Sequence, residues 1–286
     1  MSDINKILVA IDFSESSHFC LERAFMIGDA KELLAFHVLS NSSLEKIKKI
    51  LGIKENDFLY DISKNKLKEL VQGLNGEQVN VKYEVEKGSI SQTIIEKSKR
   101  FDLMIIGACE RGFTKELPLG TKARILLHQS KKPMLVVKNR PANHYENILI
   151  ATDYSDCSLR ALQYTAKLFP KAKLHLINVF EHPAKKMMAY ANVSTEMIAE
   201  YEQKEKENSE WEMNDFIKKS ALNISKNNIV MTSGHTNTEI IKNMKKLNID
   251  LLVLGKQGKS AVENLLLGST TLSLLGQVSV DTLVVS

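Results

Sequence analysis

Two tandem domains of the doubly wound α/β class, each a five-stranded parallel sheet flanked by helices, are what this sequence predicts. Three observations carry the prediction. The chain has 286 residues, 43% hydrophobic and 26% charged, a globular composition at a length suited to two cores. Its two halves repeat one another in order. Within each half, short apolar runs rich in β-branched residues alternate with longer segments of helical period.

The repeat is read from ordered anchors. Ile7-Leu-Val-Ala-Ile-Asp12-Phe-Ser14 is echoed by Ile148-Leu-Ile-Ala-Thr-Asp153-Tyr-Ser155, and Phe36-His-Val38 by Ile177-Asn-Val179 at the same offset. Asp102-Leu-Met-Ile-Ile-Gly107 matches Asp250-Leu-Leu-Val-Leu-Gly255 at a longer offset, which Leu119-Gly120-Thr121 and Leu267-Gly268-Ser269 share. Met134–Val137 and Thr282–Val285 close the two copies. The second copy therefore carries a short insertion in its middle. Polar Asn139–Tyr145, with Pro141, reads as the linker, giving domains 1–140 and 145–286.

The elements follow in order. Ile7–Ile11, Leu33–Val38, Val79–Val85, Leu103–Ile106 and Met134–Val137 read as buried strands. Ser16–Gly28, Leu44–Leu74, Ser91–Lys99 and Thr121–Gln129 space their apolar residues by three and four, as helices do. The second copy places strands near Ile148–Ala151, Lys173–Val179, Asn228–Thr232, Leu251–Leu254 and Thr282–Val285. Right-handed βαβ crossovers then make the sheets parallel. The insertion falls in Met187–Asn223, with periodic Met187, Ile198, Tyr201, Trp211, Met213 and Phe216. It reads as a surface helix packing its apolar stripe on its own sheet, a partner-binding helix being the alternative.

Composition excludes several classes. With 39 Lys+Arg against 34 Asp+Glu the net charge is +5, and the lysine pairs are scattered, so no nucleic-acid face is expected. Cys20, Cys109 and Cys157 show no CxxC spacing, and no HExxH, Gly-x-Ser-x-Gly or histidine metal spacing occurs. No metal site is expected. Nor does any apolar run reach the roughly 18–20 residues of a membrane span. Met1–Lys6 leads straight into a strand with no signal-like apolar core, and the expected location is the cytoplasm. Gly258-Lys-Ser260 resembles the end of a P-loop, but the leading glycine position is Val253, inside a strand.

The spacing Gly255-x2-Gly258-x9-Gly268-Ser269 remains. Gly255 follows the fourth strand, and Gly268-Ser269 opens a helix over Ser269–Gln277 whose unpaired N–H groups suit phosphate oxygens. Ser269 and Thr270 add hydroxyls, and Lys256 and Lys259 are candidates for added charge. An ordinary βα loop with an N-capping serine is the competing reading. In an open α/β sheet of order 3-2-1-4-5, ligands lie where the order reverses, between the ends of the first and fourth strands. Asp153 and Gly255 then face one crevice, unless Asp153 caps the following helix instead.

On these residues the chain resembles the universal stress protein family in its tandem form, over nearly its whole length. The resemblance implies a Rossmann-like fold of the adenine nucleotide alpha-hydrolase type and a stress-response regulatory protein that binds ATP or a related adenine nucleotide. It implies Asp153 toward the adenine-ribose side and the Val179 backbone toward the base. Leu254, Gly255, Gly258, Gly268, Ser269 and Thr270 would line ribose and phosphates, with Mg²⁺ as a companion of the phosphates. In the first copy Glu110 replaces the middle glycine, leaving a weaker site of Asp12, Val38, Gly107, Gly120, Thr121 and Lys122, with Arg111 and Lys115 as further cations. The two halves are expected to pack as an intramolecular pseudo-dimer, with Leu135–Val137 and Leu283–Val285 near the contact. A homodimer is a further expectation. No catalytic constellation is found. The alternatives are a weak ATPase or nucleotidyl-transfer enzyme, and a nucleotide-independent scaffold binding a protein or lipid through 187–223.

Overall fold

The computed structural model describes residues 4–27, 30–41, 45, 57–73, 81–108, 119–180, 187–188, 190–191, 193–258 and 267–286. The first copy runs β1 (Lys6–Ala10), α1 (Glu15–Met26), β2 (Glu32–Ser40), α2 (Asp57–Gln72), β3 (Val81–Gly88), α3 (Ile90–Ser98), β4 (Leu103–Gly107), α4 (Thr121–Gln129) and β5 (Met134–Val137). The second runs β6 (Asn147–Ala151), α5 (Asp156–Leu168), β7 (Lys173–Phe180), α6 (Thr195–Ser220), β8 (Ile229–Ser233), α7 (Thr236–Lys246), β9 (Leu251–Gly255), α8 (Ser269–Gln277) and β10 (Asp281–Val285). The expected start of β3 at Val79, Cys109, Glu110, Arg111, Lys115, Lys259 and much of the expected helix at 44–56 lie outside the described residues.

Two compact units result. The first holds Met1–His144, Lys167–Phe169 and Leu275–Val284, and the second Tyr145–Ala166, Pro170–Leu274 and Val285–Ser286. In the first, the strand order is β3-β2-β1-β4-β5, with parallel registers throughout. Leu8, Leu33, Leu103 and Leu135 are fully buried, because helices cover both faces and leave no polar side. β10 adds a sixth, antiparallel strand, with Leu283 opposite Leu135 and Thr282 opposite Val136. Asp281, 2% exposed, accepts from the Lys138 N–H at 2.8 Å and lies 3.6 Å from the guanidinium of Arg23, itself buried. The second unit orders its parallel strands β9-β6-β7-β8.

The repeated Asp-Leu motif has a local cause. Asp102 Oδ2 accepts from the N–H groups of Asn5 and Lys6 at 2.9 and 3.0 Å, and Asp250 Oδ2 from Glu146 and Asn147 at 2.7 and 3.2 Å. Each carboxylate thus fixes the entry of the strand beside it. α6 departs from the expected stripe: its buried residues are Ser209, Met213, Phe216 and Ser220, all in the second half of its 26 residues. Met197 and Trp211 stay exposed.

Candidate functional site

The second unit contains a crevice of about 240 Å³ at the carboxyl ends of β6 and β9. Asp153 and Val179 enter it from the ends of β6 and β7, Leu254, Gly255 and Gly258 from β9 and its following turn, and Gly268, Ser269 and Thr270 from the start of α8. All eight residues singled out in this copy therefore line one space. Lys256 does not join them: it is 5% exposed and outside the lining, and its backbone donates to Val285 O and accepts from Gly268 N–H.

The glycines differ in what they serve. A Cβ on Gly255 would come within 3.2 Å of Cys157 Sγ and 3.3 Å of the Ser158 nitrogen, so the start of α5 would have to give by a few tenths of an ångström. A Cβ on Gly258 would fall 2.6 Å from Asp153 Oδ2. At Gly268 the nearest atoms are 3.5 Å or more away, an ordinary contact that the protein itself would tolerate. Among the described residues Gly268 has no packing reason to lack a side chain, and it stands at the mouth of a helix N-terminus facing the crevice. Thr271 Oγ1 donates to Gly255 O at 2.9 Å and ties that helix start to the end of β9.

The cap of α5 is Ser155, whose Oγ accepts from the Ser158 N–H at 3.2 Å. Asp153 stands behind it, its Oδ1 accepting from the Ser155 N–H and hydroxyl at 3.2 and 2.6 Å. The carboxylate is oriented by the cap rather than serving as the cap. Between them Tyr154 has φ 64°, and its counterpart Phe13 has φ 62°. A left-handed aromatic residue costs about 1–3 kcal/mol, and its recurrence marks the turn that aims the aspartate.

The first unit has a matching crevice of about 270 Å³, lined by Asp12, Val38, Gly107, Gly120 and Lys122. Thr121 is the exception: it faces a shallow site with Arg124, Ile125 and His128 on α4, because the first residue of a helix points away from the one beside it. Asp12 Oδ1 accepts from Ser14, which caps α1. A Cβ on Gly107 would lie 2.6 Å from Ser16 Oγ and 3.1 Å from its Cβ, so here too the strand end comes close against the following helix and Ser16 would have to shift. The lining is more apolar than in the second unit: Ile11 replaces Thr152, Ile90 replaces Thr236, and Ala123 replaces Thr271.

Sequence reasoning missed His37 and Asn178, which occupy one place in the repeat. His37 Nδ1 donates to Ile11 O at 2.7 Å, and Asn178 Nδ2 donates to Thr152 O at 2.8 Å. A carbonyl accepts only, so the neutral His37 keeps its proton on Nδ1, and burial lowers its pKa below the usual histidine value. The repeat pairs Phe36-His-Val38 with Ile177-Asn-Val179, a signal that two donors beside Val38 and Val179 share a task. His37 also packs on Phe13, ring centroids 4.5 Å apart, with Lys66 Nζ 4.9 Å from the Phe13 ring.

No described helix is long and apolar enough to cross a membrane, and no three His, Cys, Asp or Glu among the described residues cluster to hold a metal. The chain is 27% identical to universal stress protein MJ0577 of Methanocaldococcus jannaschii over 47% of this chain and 95% of that one. It is 25% identical to universal stress protein Slr1230 of Synechocystis over 90% and 79% of the two. A solved universal stress protein from Archaeoglobus fulgidus shares the fold with a TM-score of 0.73, at 21% identity over 100% of this chain and 99% of that one. Residues 3–138 and 144–286 each match the universal stress protein family, to which this chain belongs in its tandem, two-domain form.

Proposed function

We propose that the second unit binds an adenine nucleotide at the crevice between the ends of β6 and β9, and that the protein acts as a stress-response regulator read through that occupancy. One observation carries the reading: Gly268, where a Cβ would meet only ordinary contacts among the described residues, opens α8 onto the crevice that Asp153 enters from the other side. Phosphate oxygens would accept from the N–H groups at the start of α8 and from the hydroxyls of Ser269 and Thr270, where the helix dipole favours anions. Asp153 would accept from ribose hydroxyls, and the Val179 backbone would meet the base. Mg²⁺ enters as a companion of the phosphates, Asp153 being the one carboxylate among the described lining residues. A reducing, cytoplasmic setting suits the buried free thiols of Cys20 and Cys157.

The test is chromatography with mass detection of nucleotide released from the denatured chain, purified without added nucleotide. Near one equivalent per chain, lost in Gly268→Val, is the expected result. No nucleotide released, and none bound when ATP, ADP or AMP is added back, overturns the reading.

A further inference from the structure

The long helix α6 is tied to the crevice by a chain of hydrogen bonds that no residue of the glycine signature makes. Ser209 is the first buried residue met from the N-terminus of α6. Its Oγ donates to Asn178 Oδ1 at 3.1 Å, and the Tyr154 hydroxyl lies 2.9 Å from the same Oγ and 3.1 Å from the Ser209 carbonyl. Tyr154 is the left-handed residue next to Asp153, and Asn178 precedes Val179. Asn178 Nδ2 in turn donates to Thr152 O, while the Tyr154 N–H donates to Thr152 Oγ1 at 2.9 Å. Phe216, one helical surface further along α6, meets the edge of the Tyr154 ring at 6.0 Å between centroids. A single serine on α6 thus holds both the turn that aims Asp153 and the strand end that presents Val179.

Among the described residues the first copy shows no counterpart of this connection. Phe13 has no hydroxyl, and the His37 ring stacks on it. The tie therefore belongs to the copy with the intact glycine spacing.

Resting on the nucleotide reading above, we propose that occupancy of the second crevice and the seating of α6 are coupled through Tyr154, Ser209 and Asn178, with Ser209 as a positioning residue. A nucleotide that fixes Asp153 and Val179 fixes the partners of Ser209. By linkage, an anchored α6 tightens nucleotide binding by the same factor that nucleotide tightens α6. The exposed face of α6, carrying Met197 and the 70% exposed Trp211, is the surface on which that state is displayed.

Hydrogen–deuterium exchange over residues 195–220, with and without saturating ATP, tests this beside equilibrium dialysis of labelled ATP. In the unmodified chain, binding is expected to slow exchange around Ser209 by roughly five- to tenfold, a coupling of ordinary size. Ser209→Ala and Tyr154→Phe should each bind ATP about fivefold more weakly and lose that response, and the double variant should be no weaker than either single one. Tyr154→Phe installs the residue the first copy carries, so it remains informative if Ser209→Ala does not fold. Binding without a change in α6 exchange, or variants that respond as the unmodified chain does, overturns the coupling alone. No binding in the unmodified chain overturns the nucleotide reading and the coupling with it.

Discussion

The two crevices are built on one plan and furnished differently. Both aim an aspartate through a left-handed aromatic residue, cap the next helix with a serine two positions later, and bring a glycine against that helix. They diverge where a ligand would touch. The second presents Thr152, Asn178, Thr236, Ser269 and Thr270, whereas the first presents Ile11, His37, Ile90 and Lys122. The scaffold of the turn is thus independent of the lining, and a duplicated unit can keep the first while the second changes.

The widest gap between the copies should open or close at the glycines. Gly268→Val places a branched side chain where phosphate would approach, and we expect about a 100-fold loss of nucleotide affinity by dialysis, roughly the upper end of overpacking costs. A Cβ there meets only ordinary contacts among the described residues, so the thermal midpoint of the free chain should fall by no more than the few degrees, roughly 1 kcal/mol, that exchanging a glycine cap for valine costs. A midpoint that falls well beyond this cap cost would assign Gly268 to packing instead. Glu110→Gly restores the middle glycine in the first copy and removes a negative charge. Dialysis should then show the first crevice gaining roughly tenfold in affinity and stoichiometry approaching two per chain.

Smaller effects test the shared plan. Ser14→Ala and Ser155→Ala each remove an N-cap and should each cost about 1 kcal/mol by urea denaturation, equally in the two copies. The smallest effect is one of pH. His175 on β7 is 2% exposed, neither ring nitrogen is hydrogen-bonded among the described residues, and the matching place in the first copy is Leu34. Burial, helped by Lys173, lowers its pKa from the usual 6.5. Below that value the unfolded chain takes up a proton that the folded chain resists, so stability falls as pH drops from neutral. His175→Leu should flatten this loss between pH 7.5 and 5.5, read from the fluorescence of the single Trp211. An unchanged slope would remove His175 from the pH response.

Much of this was legible in the chain. The strands could be read because residues buried on both faces must be apolar throughout, and Asp153 and Gly268 because a repeat exposes what both copies keep. Other features depend on orientation that spacing does not carry. Thr121 and Lys122 are neighbours, yet only Lys122 reaches the crevice, because one residue of helix turns a side chain by about 100°. Lys256 carries a charge suited to phosphate but lies in a packed strand end. Ser209 is 55 residues from Tyr154, and an isolated serine in a polar helix gives no periodic signal. The left-handed turn was hidden too, since Phe13 and Tyr154 are not residues that advertise positive φ.

The strand β10 gives the first unit a timetable. Lys138 lies 143 residues before Asp281, whose carboxylate receives its N–H. At the usual pace of synthesis, roughly 5–20 residues per second, β5 waits on the order of 7–30 s for the strand that pairs with its outer edge. During that interval a run of four buried-type residues, Met134–Val137, offers open backbone groups to whatever strand comes near. The nascent chain is most prone to pairing with the wrong partner after its first half is made, and that exposure ends only when residues 281–284 emerge.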